Sequence, residues 1–271
     1  MRYRAWYRDR LLMFRYGLKL WSTNRNYVDA ALLLYGKGVY NYIELFVVPG
    51  TYDDYARLWA ALDIPFIIHA PHFDKGVNLS IKESLQTNLI HAAETIRFAD
   101  TLKADCIIFH PGIEGCLQET VTQLNLINDP RVVIENKPFY GMNDVVCVGS
   151  SPKEIEYVLA NANVGFCLDI SHAICAANAQ KIDRVKYLSD FLALNPRMYH
   201  LTDGKLDCLY DRHDHLGTGD YDIPNILKLL PCESVITVET DKDSTNNLDD
   251  FAHDILYLRS VEALLSAEEY R

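Results

Sequence analysis

The chain has 271 residues, 49% of them apolar, and a formal net charge of −11 with a pI near 5.2. That is enough apolar material for one large core, and α/β barrels of this size run as a single domain. The acidic balance argues against non-specific attraction to nucleic acid or an acidic membrane surface, and no apolar run approaches the ~18 residues of a membrane span.

The first stretch, MRYRAWYRDRLLMF, is basic but lacks the apolar core of a secretory signal. Arg2, Arg4, Arg8 and Arg10 would suit a nucleic-acid arm. Met13, however, stands directly before the first strand-like run, so residues 1–12 read as an extension and 13–271 as the folded unit. Beyond it, β-rich runs recur in order: YGLKLW, YIELFVV, FIIHA, CIIFHPG, RVVIEN, VGFCLDISHA, MYHLTDGK and SVITVET. Between them lie amphipathic segments with apolar residues every three or four positions, clearest in KESLQTNLIHAAETIRFADTL, SPKEIEYVLANA, KIDRVKYLSDFLAL and NNLDDFAHDILYLRSVEALL. Continuous apolar strands alternating with helices imply parallel strands buried on both faces. Eight such units predict a single-domain (β/α)₈ TIM barrel, with chemistry at the C-terminal ends of its strands. The seven cysteines are scattered, odd in number and without a CxxC spacing, which fits a reducing, cytoplasmic setting.

A barrel enzyme should collect its reactive residue types at those strand ends. His69 closes FIIH, His110 CIIFH, Glu135 VVIE, Asp169 FCLD and Glu239 VITVE; His200 closes MYH, and His172 follows Asp169 by one helical turn. One buried polar group at a strand end is usually structural, but six strands with the same pattern point to a shared site. His91 and His253 fall in helical segments and read as surface or packing residues. The loop DRHDHLGTGD adds Asp211 and His213, one residue apart on the same rim, with Gly217 and Gly219 permitting the turns that follow. Together with His172 they make a mixed nitrogen and oxygen set suited to zinc, with manganese or iron admissible. Five imidazoles and four carboxylates exceed the four to six ligands of a single ion. Three divalent cations would bring six positive charges to four negative ones, leaving the net positive site that a phosphate requires.

These residues, in this order, resemble the endonuclease IV family of apurinic/apyrimidinic endonucleases within the xylose-isomerase-like barrels. The resemblance runs from about Met13 to the C-terminal helix through IIHAPH, FHPG, VIEN, CLDISHA, HLTDGK, DRHDHLGTGD and VET. It implies up to three zinc ions. His69, His110 and Glu135 would hold the first; Glu135, Asp169, His200 and Glu239 the second; His172, Asp211 and His213 the third. It further implies metal-assisted hydrolysis of DNA 5′ of abasic sites, with Glu135 as bridging catalytic carboxylate and Lys205 and Arg212 as phosphate neighbours or loop-orienting rim residues. Membrane and obligate protein partners are not implied.

The reading loops depart from that family. VVPGTYDDYARLW offers two aspartates and a helical arginine where basic and polar residues are usual. HAPHFDKG places His72 at the position of an aromatic wedge, with Phe73 beside it as a substitute wedge or packing group. WSTNRN supplies Trp21, Asn24 and Arg25 to line or brace the mouth, and ENKP brings Lys137 near Glu135, for phosphate or a structural ion pair. The competing enzyme class is a sugar isomerase or epimerase of the same superfamily, using one ion at Glu135, Asp169, His200 and Glu239. A metal-holding scaffold without activity is the third possibility.

Overall fold

A computed structural model describes residues 14–269 of the chain. The expected N-terminal extension, with Arg2, Arg4, Arg8 and Arg10, lies outside the described residues. Eight parallel strands close on themselves in sequence order: β1 (Arg15–Trp21), β2 (Tyr42–Phe46), β3 (Phe66–His69), β4 (Ile107–Phe109), β5 (Val132–Glu135), β6 (Gly165–Asp169), β7 (Met198–Leu201) and β8 (Val235–Val238). The expected TIM barrel is therefore what the chain forms. Around it run α1 (Val28–Gly36), α2 (Tyr52–Ala60), α3 (Leu85–Thr101), α4 (Leu117–Ile127), α5 (Pro152–Asn161), α6 (Ile170–Gln180), α7 (Arg184–Leu192), α8 (Ile223–Leu229) and α9 (Asp249–Glu269). Among the described residues no helix is long and apolar enough to cross a membrane. All seven cysteines are free.

Strand pleating sorts the side chains into two cores, because alternate residues point to opposite faces. One set, including Leu18, Leu20, Ile43, Leu45, Ile68, Ile134, Leu168 and Val238, faces outward and packs with the helices. The other set is smaller and sits inside the barrel: Tyr42, Ile67, Cys106, Ile108, Val133, Cys167 and Met198. Two residues further along each of these strands, the same inward parity arrives at an ionisable side chain. The apolar plug thus forms the floor beneath a polar ring.

Local chemistry explains where the helices begin. In Ser-Pro-Lys-Glu, the Ser151 hydroxyl accepts from the Glu154 backbone and the Glu154 carboxylate accepts from the Ser151 backbone, with Pro152 preset at the first helical position. Asp169 caps α6 directly at the end of β6, accepting at 2.7 Å from the His172 backbone. With no loop between strand and helix, His172 is held over the barrel mouth. Ser151 and Glu154 do not line the mouth, so S151A is expected to lower stability by about 1 kcal/mol, read as a shift in the urea midpoint at unchanged slope; no shift would mean the cap contributes nothing.

Candidate metal centre

Each of the eight strands delivers one ionisable residue to the barrel interior, on the strand or one position past its end: Lys19, Glu44, His69, His110, Glu135, Asp169, His200 and Glu239. Six of these were expected. The two that sequence reasoning passed over, Lys19 and Glu44, come from β1 and β2 and touch each other, with Lys19 Nζ 2.5 Å from Glu44 Oε1 and 2.5 Å from Glu239 Oε1. Their signal was the single charge in the middle of each of the otherwise apolar runs YGLKL and YIELF. A lone charge in a strand buried on both faces needs a partner across the barrel.

Glu135 stands at the centre. Its Oε2 lies 3.1 Å from His69 Nε2 and 3.0 Å from His110 Nε2, and its Oε1 lies 3.1 Å from His172 Nδ1. Below it, His200 Nδ1 faces Glu239 Oε1 at 3.0 Å, Glu135 Oε2 at 3.5 Å and Asp169 Oδ2 at 3.9 Å. On the rim, Asp211 Oδ2 lies 2.7 Å from His213 Nε2 and 3.5 Å from His172 Nε2. All nine residues expected as ligands therefore converge on one region. Cys167 also lies close to Glu135 and His200, where burial pushes its thiol up.

The imidazoles are oriented as metal ligands require. A ligating histidine donates its far ring nitrogen to an oxygen, which leaves the near nitrogen with a free lone pair. His69 Nδ1 donates to the Ala70 carbonyl at 2.8 Å, His172 Nδ1 to the Asn136 carbonyl at 2.9 Å and His213 Nδ1 to the Glu239 carbonyl at 2.6 Å. His200 reverses the pattern, donating Nε2 to Glu44 Oε2 at 3.0 Å. Its Nδ1 is buried without a hydrogen-bond partner and points among three carboxylates. A cation is the group that satisfies both the orphaned nitrogen and the crowded oxygens, so the donor set fits a metal.

Charge crowding shows in the titration of these groups. Burial lifts the Asp169 carboxyl to about 6, with Asp211, Glu135 and Glu239 adding to the rise against His172. Burial pulls His172 and His213 down, but the surrounding carboxylates outweigh it and push them up to about 10 and about 9. Any metal taken up here displaces those protons.

Further interactions hold these side chains in place. The Asn136 side chain clamps β5 to β6, accepting from Asp169 N at 2.8 Å and donating to Asp169 O at 2.9 Å. Asp203, just past β7, organises the loop that carries Asp211 and His213. It accepts from the backbones of Gly204 at 2.8 Å, Gly217 at 2.9 Å and Tyr221 at 3.1 Å. Gly219 is required there for space, since an added Cβ would sit 2.1 Å from Asp203 Oδ1. His213 itself has a φ of +54°, a strained conformation for a side-chain-bearing residue, and this aims its ring at Asp211.

The mouth is a cavity of about 450 Å³ lined by His69, His110, Glu135, His172, Asp211, His213 and Glu239, with Trp21, Asn24, Phe73, Tyr140 and Lys137 in its wall. His72 stacks on His110 at 5.0 Å and meets Phe46 edge-on. Trp21 stays 46% exposed, with Lys75 Nζ 5.4 Å above its ring. Lys205 and Arg212 are placed outside this wall: Lys205 is half-buried and Arg212 exposed, and each is paired with a neighbouring acid, Asp220 at 3.0 Å and Asp214 at 2.8 Å. The cations that do line the cavity are Lys19, Lys137 and Lys242. Arg25 and Arg57 are exposed, with Arg57 in α2; His91 lies in α3 and His253 in α9. A larger cavity, about 540 Å³, opens at the opposite end of the barrel among Arg15, Asp63, Asp105 and Arg197. It holds no converging imidazoles, and barrel chemistry belongs to the other face.

A family model described as xylose isomerase-like TIM barrel matches residues 37–261. No curated protein matches the sequence. Among solved structures, a D-tagatose 3-epimerase-like protein superposes with a TM-score of 0.71 at 16% identity, covering 94% of this chain and 99% of that one. Endonuclease IV from Thermus thermophilus superposes at 0.66 and 21% identity, covering 91% and 99%. A putative xylose isomerase from Rhodospirillum rubrum gives 0.69 at 12% identity, covering 93% and 99%. At these identities the likeness is one of fold.

Replacing Asp203 leaves three backbone donors without their acceptor. D203A is expected to cost about 3 kcal/mol and to speed amide exchange at Gly217 and Tyr221, whereas unaltered exchange would show that the loop is held by other means.

Proposed function

The chain belongs to the xylose isomerase-like TIM barrel family, and within it we propose a metal-dependent phosphodiesterase of the endonuclease IV kind, incising DNA on the 5′ side of abasic sites. The observation that carries this reading is the surplus of ligands. His69, His110, His172, Asp211 and His213 line one cavity together with Glu135 and Glu239, and His200 and Asp169 gather against those two carboxylates from beneath; four of the five imidazoles have one ring nitrogen facing a fixed oxygen acceptor.

His69, His110 and Glu135 would hold one ion; Glu135, Asp169, His200 and Glu239 a second; His172, Asp211 and His213 a third. Zinc suits the mixed donors, and manganese or iron is compatible. Such ions supply Lewis acidity toward a phosphoryl oxygen and bring the pKa of water to about 7.

The chain's own residues do the remainder. Glu135 reaches three imidazoles at once and so ties the separate ligand groups into one centre. Lys137, 7% exposed and in the cavity wall, adds a fixed positive charge on the approach to Glu135. Trp21 and Phe73 offer aromatic faces at the mouth, where an unstacked base or the gap left by a missing one can pack. Because the chain is acidic overall, affinity must come from this local site and not from broad phosphate contacts.

A second reading, a sugar isomerase or epimerase with one ion, has its own support. His200 Nδ1 gathers Glu135, Asp169 and Glu239 around a single point, and the D-tagatose 3-epimerase-like structure superposes well. Under that reading His69, His110, His172, Asp211 and His213 contact substrate.

Zinc content after dialysis, together with cleavage of a duplex bearing one abasic analogue with and without chelator, separates the two. The phosphodiesterase reading expects two or three ions per chain, chelator-sensitive cleavage, and a loss of at least about 100-fold in E135Q. One ion, no cleavage, and turnover of a ketose or aldose would replace it with the isomerase.

A further inference from the structure

Among the eight inward-facing ionisable residues, Lys19 is the cation that no proton or metal needs to supply. Its side chain is 15% exposed, and Nζ lies 2.5 Å from both Glu44 Oε1 and Glu239 Oε1. Glu44 is fully buried and fully engaged: Lys19 occupies Oε1, while His200 Nε2 at 3.0 Å and Thr237 Oγ1 at 2.5 Å occupy Oε2. Glu44 therefore already serves three donors and orients His200, so that although it lies within reach of a metal beside His200 and Glu239, an ion there would compete with Lys19 for its Oε1 as well.

Glu239 is in a different position. Its Oε1 is shared by the Lys19 ammonium and by His200 Nδ1 at 3.0 Å. A divalent ion that takes His200 Nδ1 and Glu239 as ligands must settle beside a positive charge already bound to the same carboxylate. On the other side of Glu135 the nearby cation is Lys137, which acts on His110 and His172 from a distance, whereas Lys19 is in direct contact with the Glu239 carboxylate.

Resting on the metal-centre reading above, we propose that Lys19 is a resident cation of the site: it carries part of the charge that a divalent ion would otherwise bring to Glu239, and makes the ion position at His200 and Glu239 the weakest of the centre, the last to fill and the first to exchange. Like charges in contact in a site shielded from solvent repel strongly, which sets the sign of the effect. The pair also explains why β1 and β2 carry charges at all. Glu44 orients His200 from below, and Lys19 keeps that extra carboxylate from adding to the crowd.

The test is zinc binding by the whole chain, with no activity readout. Apo wild type, K19M, K19R and the double variant K19M/E44Q are titrated with zinc against a chromophoric chelator, and bound zinc is counted after dialysis. K19M/E44Q replaces the ion pair with neutral groups of similar size, retains an oxygen for His200, and covers the case in which K19M alone fails to fold. The expected result is a gain of at least about tenfold in affinity for the weakest ion in K19M/E44Q, more zinc retained after dialysis, and wild-type behaviour in K19R. Equal or weaker affinity in the neutral variant overturns the role of Lys19 while leaving the metal centre standing. Failure of the wild type and every variant to bind zinc overturns the metal-centre reading itself, and this inference with it.

Discussion

Carboxylates gathered inside a barrel repel one another, and that repulsion shapes everything at the mouth of this molecule. Glu44, Glu135 and Asp169, all buried, and the half-buried Glu239 beside them come from four strands into one space, where water screens them poorly. Imidazoles stand between them, an ammonium neutralises the deepest, and one acid, Asp169, is pushed toward its neutral form. The arrangement is unfavourable for the protein alone and becomes favourable when cations enter. Under the proposed reading, the folded chain stores in this crowding the attraction that would hold metal and phosphate.

The barrel makes this crowding possible without unfolding. Outward residues of the strands pack with the helices, while the inward floor of Tyr42, Ile67, Ile108, Val133, Cys167 and Met198 is a separate apolar plug. Stability resides in those two cores, leaving the upper ring free to be strained. The strain extends to the rim: His213 adopts a left-handed backbone because Asp203 and the Glu239 carbonyl anchor the segments on either side of it. Site residues on strands are set by the sheet, whereas Asp211 and His213 on the loop need an organiser, and Asp203 is that organiser.

Fold likeness spreads across epimerases, isomerases and endonucleases, so the reaction has to be argued from the site. Two features pull in one direction: more candidate donors than one ion uses, and imidazoles whose far ring nitrogens face fixed oxygen acceptors. A third gives the site its individual character. Its positive charges come from Lys19, Lys137 and Lys242 in the cavity wall, whereas Lys205 and Arg212 pair with Asp220 and Asp214 at the surface.

The amino-acid order by itself determined the eight strands, the barrel and the presentation of His69, His110, Glu135, Asp169, His200 and Glu239 at equivalent strand ends. These follow from local periodicity, since parity along a strand dictates which side chains face inward. The helix start at Ser151 and Glu154, a contact of three residues' span, is local in the same way. Only the tertiary structure decided which charges meet. Lys19 finds Glu239 across 220 positions of chain, and Glu44 finds His200 across 156; no local pattern encodes such pairs. Whether Lys205 and Arg212 turn inward or toward their neighbours, and that Asp203 of HLTDGK braces a loop instead of serving as a ligand, depended equally on closure of the barrel. Closure brings β1 beside β8, and with it the inward-facing ammonium of Lys19 to the carboxylates that need it.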